Sequence, residues 1–330
     1  MTQAPLGLTM GDPAGIGPEI ILKCFQAGLT SNAVVYGDAA WLEQMAVRLN
    51  LKVKIAIIAD PSATLSTEPG SVPVIEACQA VPPTLALGEV SATAGMAAYQ
   101  SLQRAIDDAL AKKLRAIVTA PLNKHAIQLA GVAFPGHTEI LAHRCGDIPV
   151  AMMLVNGAIR VLLVTIHEPL AKVPGLITAE IEAQAIDLAH RACQQLSISQ
   201  PRVAVAGLNP HAGENGQFGD EERRVIGPAI EAAKLRGINA SGPWSGDTIF
   251  ARARNGEFDI VVAQYHDQGL IPVKYLGIDE GVNVTVGLPF VRTSVDHGTA
   301  FDIAGRGIAS PDSLTRAIEV ARQLSAQAAQ

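Results

Sequence analysis

The chain has 330 residues, 48% apolar but only 4% aromatic, with 30 glycines, a net charge of −6 and a pI near 5.8. That length points to two domains, and a core of Ala, Val, Ile and Leu with many glycines suits a repeating α/β chain with tight strand-to-helix turns. No basic field is present to attract nucleic acid, and the longest apolar region, 150–166, is broken by Asn156-Gly157 and Arg160 and spans no membrane.

The amino terminus lacks a basic region followed by a long apolar stretch, so no secretory signal is expected. Cys24, Cys78, Cys145 and Cys193 are widely spaced and form no metal-type pair. They read as reduced thiols of a cytoplasmic protein.

In chain order, a strand at 6–10 leads into the glycine-rich turn GDPAGIGPE (Gly11–Glu19) and a helix from Pro18. A strand at 33–36, a helix at 39–49 and a strand at 53–59 follow. Residues 60–90 read as irregular, with one short strand at 72–76. Ser91 caps a long helix, along which Tyr99, Leu102, Ile106 and Leu110 form one apolar stripe. A buried strand at 116–119 ends at PLNK (Pro121–Lys124), and GHTE (Gly136–Glu139) marks a helix start suited to an anion.

Residues 150–167 read as two strands joined by an Asn-Gly turn. An antiparallel hairpin in a mostly parallel chain suggests a subunit-interface arm. Further on come a helix at 178–196, a strand at 203–208, helices at 221–236 and 247–253, and strands at 260–264 and 282–286. The apolar run Ile260–Ala263 stops at Tyr265-His266-Asp267, with Gly269 and Pro272 as breakers. Ser310-Pro311 opens the last helix as cap and first-turn proline.

His167, His211 and His266 each lie just past the carboxyl end of an expected strand, where ligands bind in open α/β sheets. Three neutral imidazoles with an open position describe a catalytic zinc-like site; three locally bonded loop histidines are the plainer alternative. The turn carrying Gly11, Gly15 and Gly17 can seat a phosphate at a helix start, yet it matches neither GxGxxG nor a P-loop, and backbone necessity explains it equally well. Lys274, Asn283 and Arg292 supply two cations and an amide for a phosphate or carboxylate. In the loop His297–Pro311, Asp302 can accept from a ribose diol and would repel a 2′-phosphate.

Read together, GDPAGIGPE, PLNK, GHTE, GLNPHAGE, YHDQGLIPVK and GLPFVRTSVDHGTAFDIAG span nearly the whole chain. In that order they resemble the 4-hydroxythreonine-4-phosphate dehydrogenases of vitamin B6 biosynthesis. More distantly, the first block and HGTAFDIAGRGIASP look like loops of the isocitrate and isopropylmalate dehydrogenases. The resemblance implies two α/β/α domains with mostly parallel sheets and an active-site cleft, the first built from 1–128 and 270–330 and the second from 129–269. It implies a homodimer sharing a divalent metal (Zn, Co, Ni, Mg or Mn) held by His167, His211 and His266. Substrate contacts are implied at His137, Thr138, Lys274, Asn283 and Arg292. The nucleotide, NAD with NADP the alternative, is implied at the loop containing His297, Gly298 and Asp302. The expected reaction oxidises 4-(phosphooxy)-L-threonine and then releases CO₂, with Asp247 or Asp267 as base and Lys274 aligning the substrate. Competing expectations are a sister dehydrogenase for erythronate or threonate phosphates or cis-dihydrodiol carboxylates, an acyltransferase using acyl phosphates, and a three-histidine zinc hydrolase.

Overall fold

The computed structural model describes residues 3–326 except 67, 69, 158 and 278–280. It divides into two compact units, 1–148 with 288–325, and 149–287.

In the first unit, β1 (Leu6–Thr9), β2 (Ala33–Gly37), β3 (Lys54–Ile57), β4 (Ser71–Glu76), β5 (Ala116–Thr119) and β12 (Val291–Val295) lie side by side in the order β3-β4-β2-β1-β5-β12. Each neighbouring pair is parallel. Strands β1, β2 and β5 are buried throughout, so they read as continuous apolar runs without alternation. The helices are α1 (Gly17–Gln26), α2 (Ala39–Arg48), α3 (Ala92–Leu110), α4 (Lys124–Leu129), α5 (His137–Arg144) and α11 (Asp312–Ser325). Asp38, Ser91 and Asn123 cap α2, α3 and α4 through side-chain oxygens that accept from the third residue on. Because β1 has β2 on one side and β5 on the other, the chain order reverses there. The turns leaving β1, β5 and β12 therefore open at one end of the sheet, the usual ligand end of such folds.

In the second unit the order is β11-β6-β7-β10-β8-β9, from β6 (Ala151–Asn156), β7 (Ile159–Leu163), β8 (Val203–Ala206), β9 (Ala240–Trp244), β10 (Ile260–Ala263) and β11 (Val282–Val286). Strands β7, β10, β8 and β9 are parallel, while β6 runs antiparallel to both β7 and β11. The principal helices are α7 (Ala179–Gln195), α8 (Gly227–Leu235), α9 (Ile249–Arg254) and α10 (His266–Tyr275), with the single turn α6 at Val173–Leu176.

Three expectations change here. The boundaries fall at 148/149 and 287/288 rather than 128/129 and 269/270. Residues 129–148 stay with the first unit, where Arg144 on α5 pairs with Asp107 on α3. Residues 270–287 stay with the second, because α10 continues to Tyr275 and β11 zips onto β6. The β6–β7 hairpin is no projecting arm: both strands are internal to this sheet, and Asn156 pairs with Ile159 at the end of β6 instead of occupying the turn. Finally, α10 passes through both Gly269 and Pro272. A Cβ at Gly269 would lie 2.4 Å from Leu163 Cδ2, so that glycine permits α10 to lie close on β7.

Candidate active site

In the second unit, the three histidines follow three adjacent parallel strands, His167 after β7, His266 after β10 and His211 after β8. His167 and His266 come together, with ring centroids 5.7 Å apart and planes inclined by 39°. They line one cavity of about 290 Å³ with Tyr265 and Asp267. His211 faces a second, of about 710 Å³, shared with Asp247, Tyr265, Asp267 and Gln268. Among the described residues no three His, Cys, Asp or Glu side chains gather into one metal-sized group. Of the three expected ligands, His167 and His266 are brought together and His211 lines the other cavity.

The ring of His266 is held at Nδ1, 2.7 Å from Asp267 Oδ1. With Nδ1 protonated, Nε2 keeps its lone pair for a ligand, the arrangement in which a carboxylate orients a metal-binding histidine. Asp267 is thereby engaged as an orienting group. Asp247 caps no helix, since α9 begins at Ile249; its carboxylate instead accepts from Ser245 Oγ at 2.6 Å. It stays exposed beside His211.

His211 rides on an unusual backbone. Residues 211–215 all have positive φ, from 41° to 79°, although an L-residue in that region costs about 1–2 kcal/mol. Two carboxylates brace the turn. Glu222 accepts from Asn209 N at 2.7 Å and Asn209 Nδ2 at 3.0 Å, and Glu221 accepts from the same Nδ2 at 2.7 Å. A Cβ at Gly213 would stand 2.6 Å from Glu222 Oε2, so only glycine fits there. Strain held this way clusters at ligand sites.

Lys274 lies in the last turn of α10, and Asn283, half-buried on β11, reaches Met152 Sδ at 3.1 Å.

In the first unit, Arg292 on β12 is 3% exposed and donates to Thr119 Oγ1 at 2.7 Å. Burial pushes its guanidinium down to about 9, against the opposing charge of Glu139. The half-buried His137, at the first position of α5, is driven well below the usual imidazole range by burial and by the charges of Arg292 and Lys124. Beside it, Thr138 is also half-buried. Lys124 Cε and Glu139 Oε2 both approach Gly136, at 3.6 and 3.5 Å from where its Cβ would stand. The cluster thus holds a buried guanidinium, an exposed ammonium, a neutral imidazole and one acid, a composition suited to a phosphate. Sequence reasoning missed Lys124, Thr119 and Glu139 as members, though PLNK and GHTE had flagged their neighbourhood.

The expected nucleotide residues divide. The turn after β1 is tied to its neighbours: Asp12 N donates to Pro121 O at 2.9 Å, and Ile16 N to Thr299 O at 3.0 Å. A Cβ at Gly11 would stand 2.4 Å from Pro121 O, and at Gly15 2.9 Å from Thr299 O. Gly17 is equally tight, against Met10 O at 2.3 Å. Gly15 thus lets the turn lie against the loop 297–309, while Gly11 and Gly17 let it close on Pro121 and Met10. His297 donates from Nδ1 to Gly298 O at 2.9 Å, and Asp302 is exposed. Asp12 itself is buried, with its carboxyl raised to about 6 by desolvation despite a bond from Ala14 N.

Comparison with known proteins decides the family. The model described as "Pyridoxal phosphate biosynthetic protein PdxA" matches residues 30–321. The chain belongs to this family. It is 53% identical to a 4-hydroxythreonine-4-phosphate dehydrogenase of Beijerinckia indica, over 98% of this chain and 96% of that one. It is 45% identical to a D-threonate 4-phosphate dehydrogenase of Salmonella typhimurium, over 98% and 100%. The crystal structure of a 4-hydroxythreonine-4-phosphate dehydrogenase from Klebsiella pneumoniae superposes with a TM-score of 0.91 at 42% identity, covering 98% of this chain and all of that one. This PdxA-family chain is therefore a dehydrogenase with the α/β architecture of its relatives. Among the described residues no helix is long and apolar enough to cross a membrane.

Proposed function

We propose that the chain oxidises 4-(phosphooxy)-L-threonine with NAD⁺, with loss of CO₂ from the β-keto acid to give 3-amino-2-oxopropyl phosphate, in pyridoxal phosphate biosynthesis. The observation that carries a phosphorylated substrate is the cationic cluster of Arg292, Lys124 and neutral His137. Arg292, with its position fixed by Thr119, supplies a planar fork for phosphate oxygens, and Lys124 adds a point charge. His137 and Thr138 contribute uncharged hydrogen-bonding groups at the start of α5. Lys274 and Asn283 are assigned to the substrate's carboxylate end, aligning the reacting carbon.

His167, His211 and His266 are proposed to hold one divalent ion, the set being completed between two copies of the chain. Imidazole donors favour Zn, Co or Ni over Mg or Mn. Bound there, such an ion would supply Lewis acidity to the substrate hydroxyl and the ketone, and NAD⁺ would be the hydride acceptor. Asp267 keeps His266 oriented. Asp247, exposed beside His211, is the base we assign. The loop containing His297, Gly298 and Asp302 is assigned to the adenosine end; a carboxylate at Asp302 favours NAD over NADP.

A second reading, oxidation of D-threonate 4-phosphate, is favoured by the 45% identity to the Salmonella enzyme. Incubation with NAD⁺ and 4-(phosphooxy)-L-threonine, followed by product analysis, tests the assignment. One CO₂ per NADH with 3-amino-2-oxopropyl phosphate is expected. Turnover confined to D-threonate 4-phosphate selects the second reading.

A further inference from the structure

The three histidine-bearing loops meet at one buried amide, that of Gln264. Its backbone carbonyl accepts from Thr165 Oγ1 at 2.7 Å and Thr165 N at 3.2 Å, two residues before His167. Its side-chain Nε2 donates to Ala206 O at 2.9 Å, at the end of β8, which leads to His211. Its backbone N donates to Gln268 Oε1 at 2.7 Å, within the first turn of α10, which begins at His266. Gln268 Nε2 in turn donates to Gly207 O at 2.7 Å. The Gln264 side chain is wholly buried, and so is the group facing it, Glu182 on α7.

Gln264 Nε2 also donates to Glu182 Oε1, at 3.1 Å. Two oxygens remain without a partner, Glu182 Oε2 and Gln264 Oε1. Flipping the amide is no remedy, because it would turn Oε1 toward the acceptors Ala206 O and Glu182 Oε1. The Nε2–Oε1 bond sets the amide against the carboxyl, and a neutral carboxyl can satisfy both remaining oxygens at once, its O–H donating to the amide oxygen while its other oxygen accepts from the amide N–H. An acceptor-only carboxylate cannot donate to the amide oxygen, so neither of these buried oxygens could satisfy the other, and a buried acceptor left unpaired carries a desolvation cost.

We propose that Glu182 is protonated in the folded protein and clasps the Gln264 amide in a two-bond ring, making it a positioning residue that fixes the spacing of the loops bearing His167, His211 and His266. The positioning half rests on the metal assignment under Proposed function; the ring itself does not. Burial raises the Glu182 carboxyl to about 7, consistent with a proton held there below neutrality.

The test uses the full-length protein, with Glu182→Gln and Glu182→Leu. Glutamine reproduces the ring, since it donates to Gln264 Oε1 and accepts from Gln264 Nε2; leucine fills the volume and cannot. First, the wild-type-minus-E182Q infrared difference spectrum of the metal-free proteins at about pH 6, below the Glu182 midpoint of about 7, should contain a protonated carboxyl stretch, the buried Asp12 carboxyl cancelling because it is common to both. Second, Co²⁺ titration followed by its visible absorption should give E182Q an affinity within about twofold of wild type, and E182L one weaker by about 10–100-fold, the usual cost of losing an outer partner of a metal ligand. No protonated carboxyl band in that difference spectrum would overturn the ring. Equal loss in E182Q and E182L would overturn its positioning role. If wild type binds no Co²⁺, the metal assignment falls and the positioning role falls with it, while the infrared band still decides the ring.

Discussion

Glu19→Ala should loosen the loop proposed to hold the nucleotide and cost stability that the structure allows to be sized. Glu19 is fully buried in the first turn of α1. Its Oε1 accepts from Lys23 Nζ at 2.8 Å and Ala309 N at 2.9 Å, and its Oε2 from Gly307 N at 3.2 Å. Lys23 closes the clasp by donating to Ala309 O at 2.6 Å and Gly307 O at 3.0 Å. Removing one partner of a buried ion pair costs about 3–5 kcal/mol, but the Lys23 side chain is 20% exposed and recovers some hydration. The buried Ala309 N–H loses its acceptor, at about 1–3 kcal/mol. Because these terms overlap, we expect a net loss of about 3 kcal/mol, with Glu19→Gln retaining part of it as an uncharged acceptor. Urea titration followed by circular dichroism measures the loss, and hydrogen exchange at the Gly307 and Ala309 amides localises it. A change below about 0.5 kcal/mol, the usual range of unremarkable surface substitutions, would refute the reasoning.

Replacing Arg292 with Met should lower kcat/KM for the phosphorylated substrate by about 10²–10³-fold, since truncating a buried charged partner costs about 2–5 kcal/mol. Lys at 292 should recover only part of this because it lacks the fork, and inhibition by inorganic phosphate should weaken in parallel; steady-state kinetics read both. Alanine at His167, His211 or His266 should abolish turnover while leaving the circular dichroism unchanged, and full turnover by any of the three in chelator would remove the metal assignment. The Glu182 carboxyl, raised from 4.5 to about 7, binds more protons folded than unfolded across that window, so its contribution falls as pH rises through it. Glu182→Gln should therefore gain up to about 3 kcal/mol on wild type between about pH 5 and 8; a pH-independent difference in urea titrations would show that Glu182 is not titrating.

Much of the alternation was legible because the buried parallel strands β1, β5, β8 and β10 are short apolar runs bounded by turn residues. Strand β9 was missed because ASGPW carries Gly-Pro, which reads as a turn; at the end of the sheet order, with a register shift, the missing N–H is tolerated. β12 was missed because Arg292, Thr293 and Ser294 look polar, yet all three are buried. The last helix begins at Asp312, whose N–H is taken by Ser310 Oγ, so Pro311 precedes the helix. The histidines could be placed at strand ends from sequence, but the pairing of His167 with His266 is a three-dimensional fact. The left-handed run around His211 was invisible too. Only Gly213 hints at it, and Ala212 and Glu214 take that conformation because Glu222 and Asn209 brace it. Glu182 and Gln264 carry no sequence signal, since a polar residue at helical spacing on α7 reads as an exposed face.

The most direct test is NADH formation from 4-(phosphooxy)-L-threonine by the purified protein, with a divalent metal and again with a chelator, beside D-threonate 4-phosphate and 4-phospho-D-erythronate. Metal-dependent NADH that is fastest with the hydroxythreonine phosphate is the predicted result. NADH unaffected by chelation, or none from any of the three substrates, would contradict it.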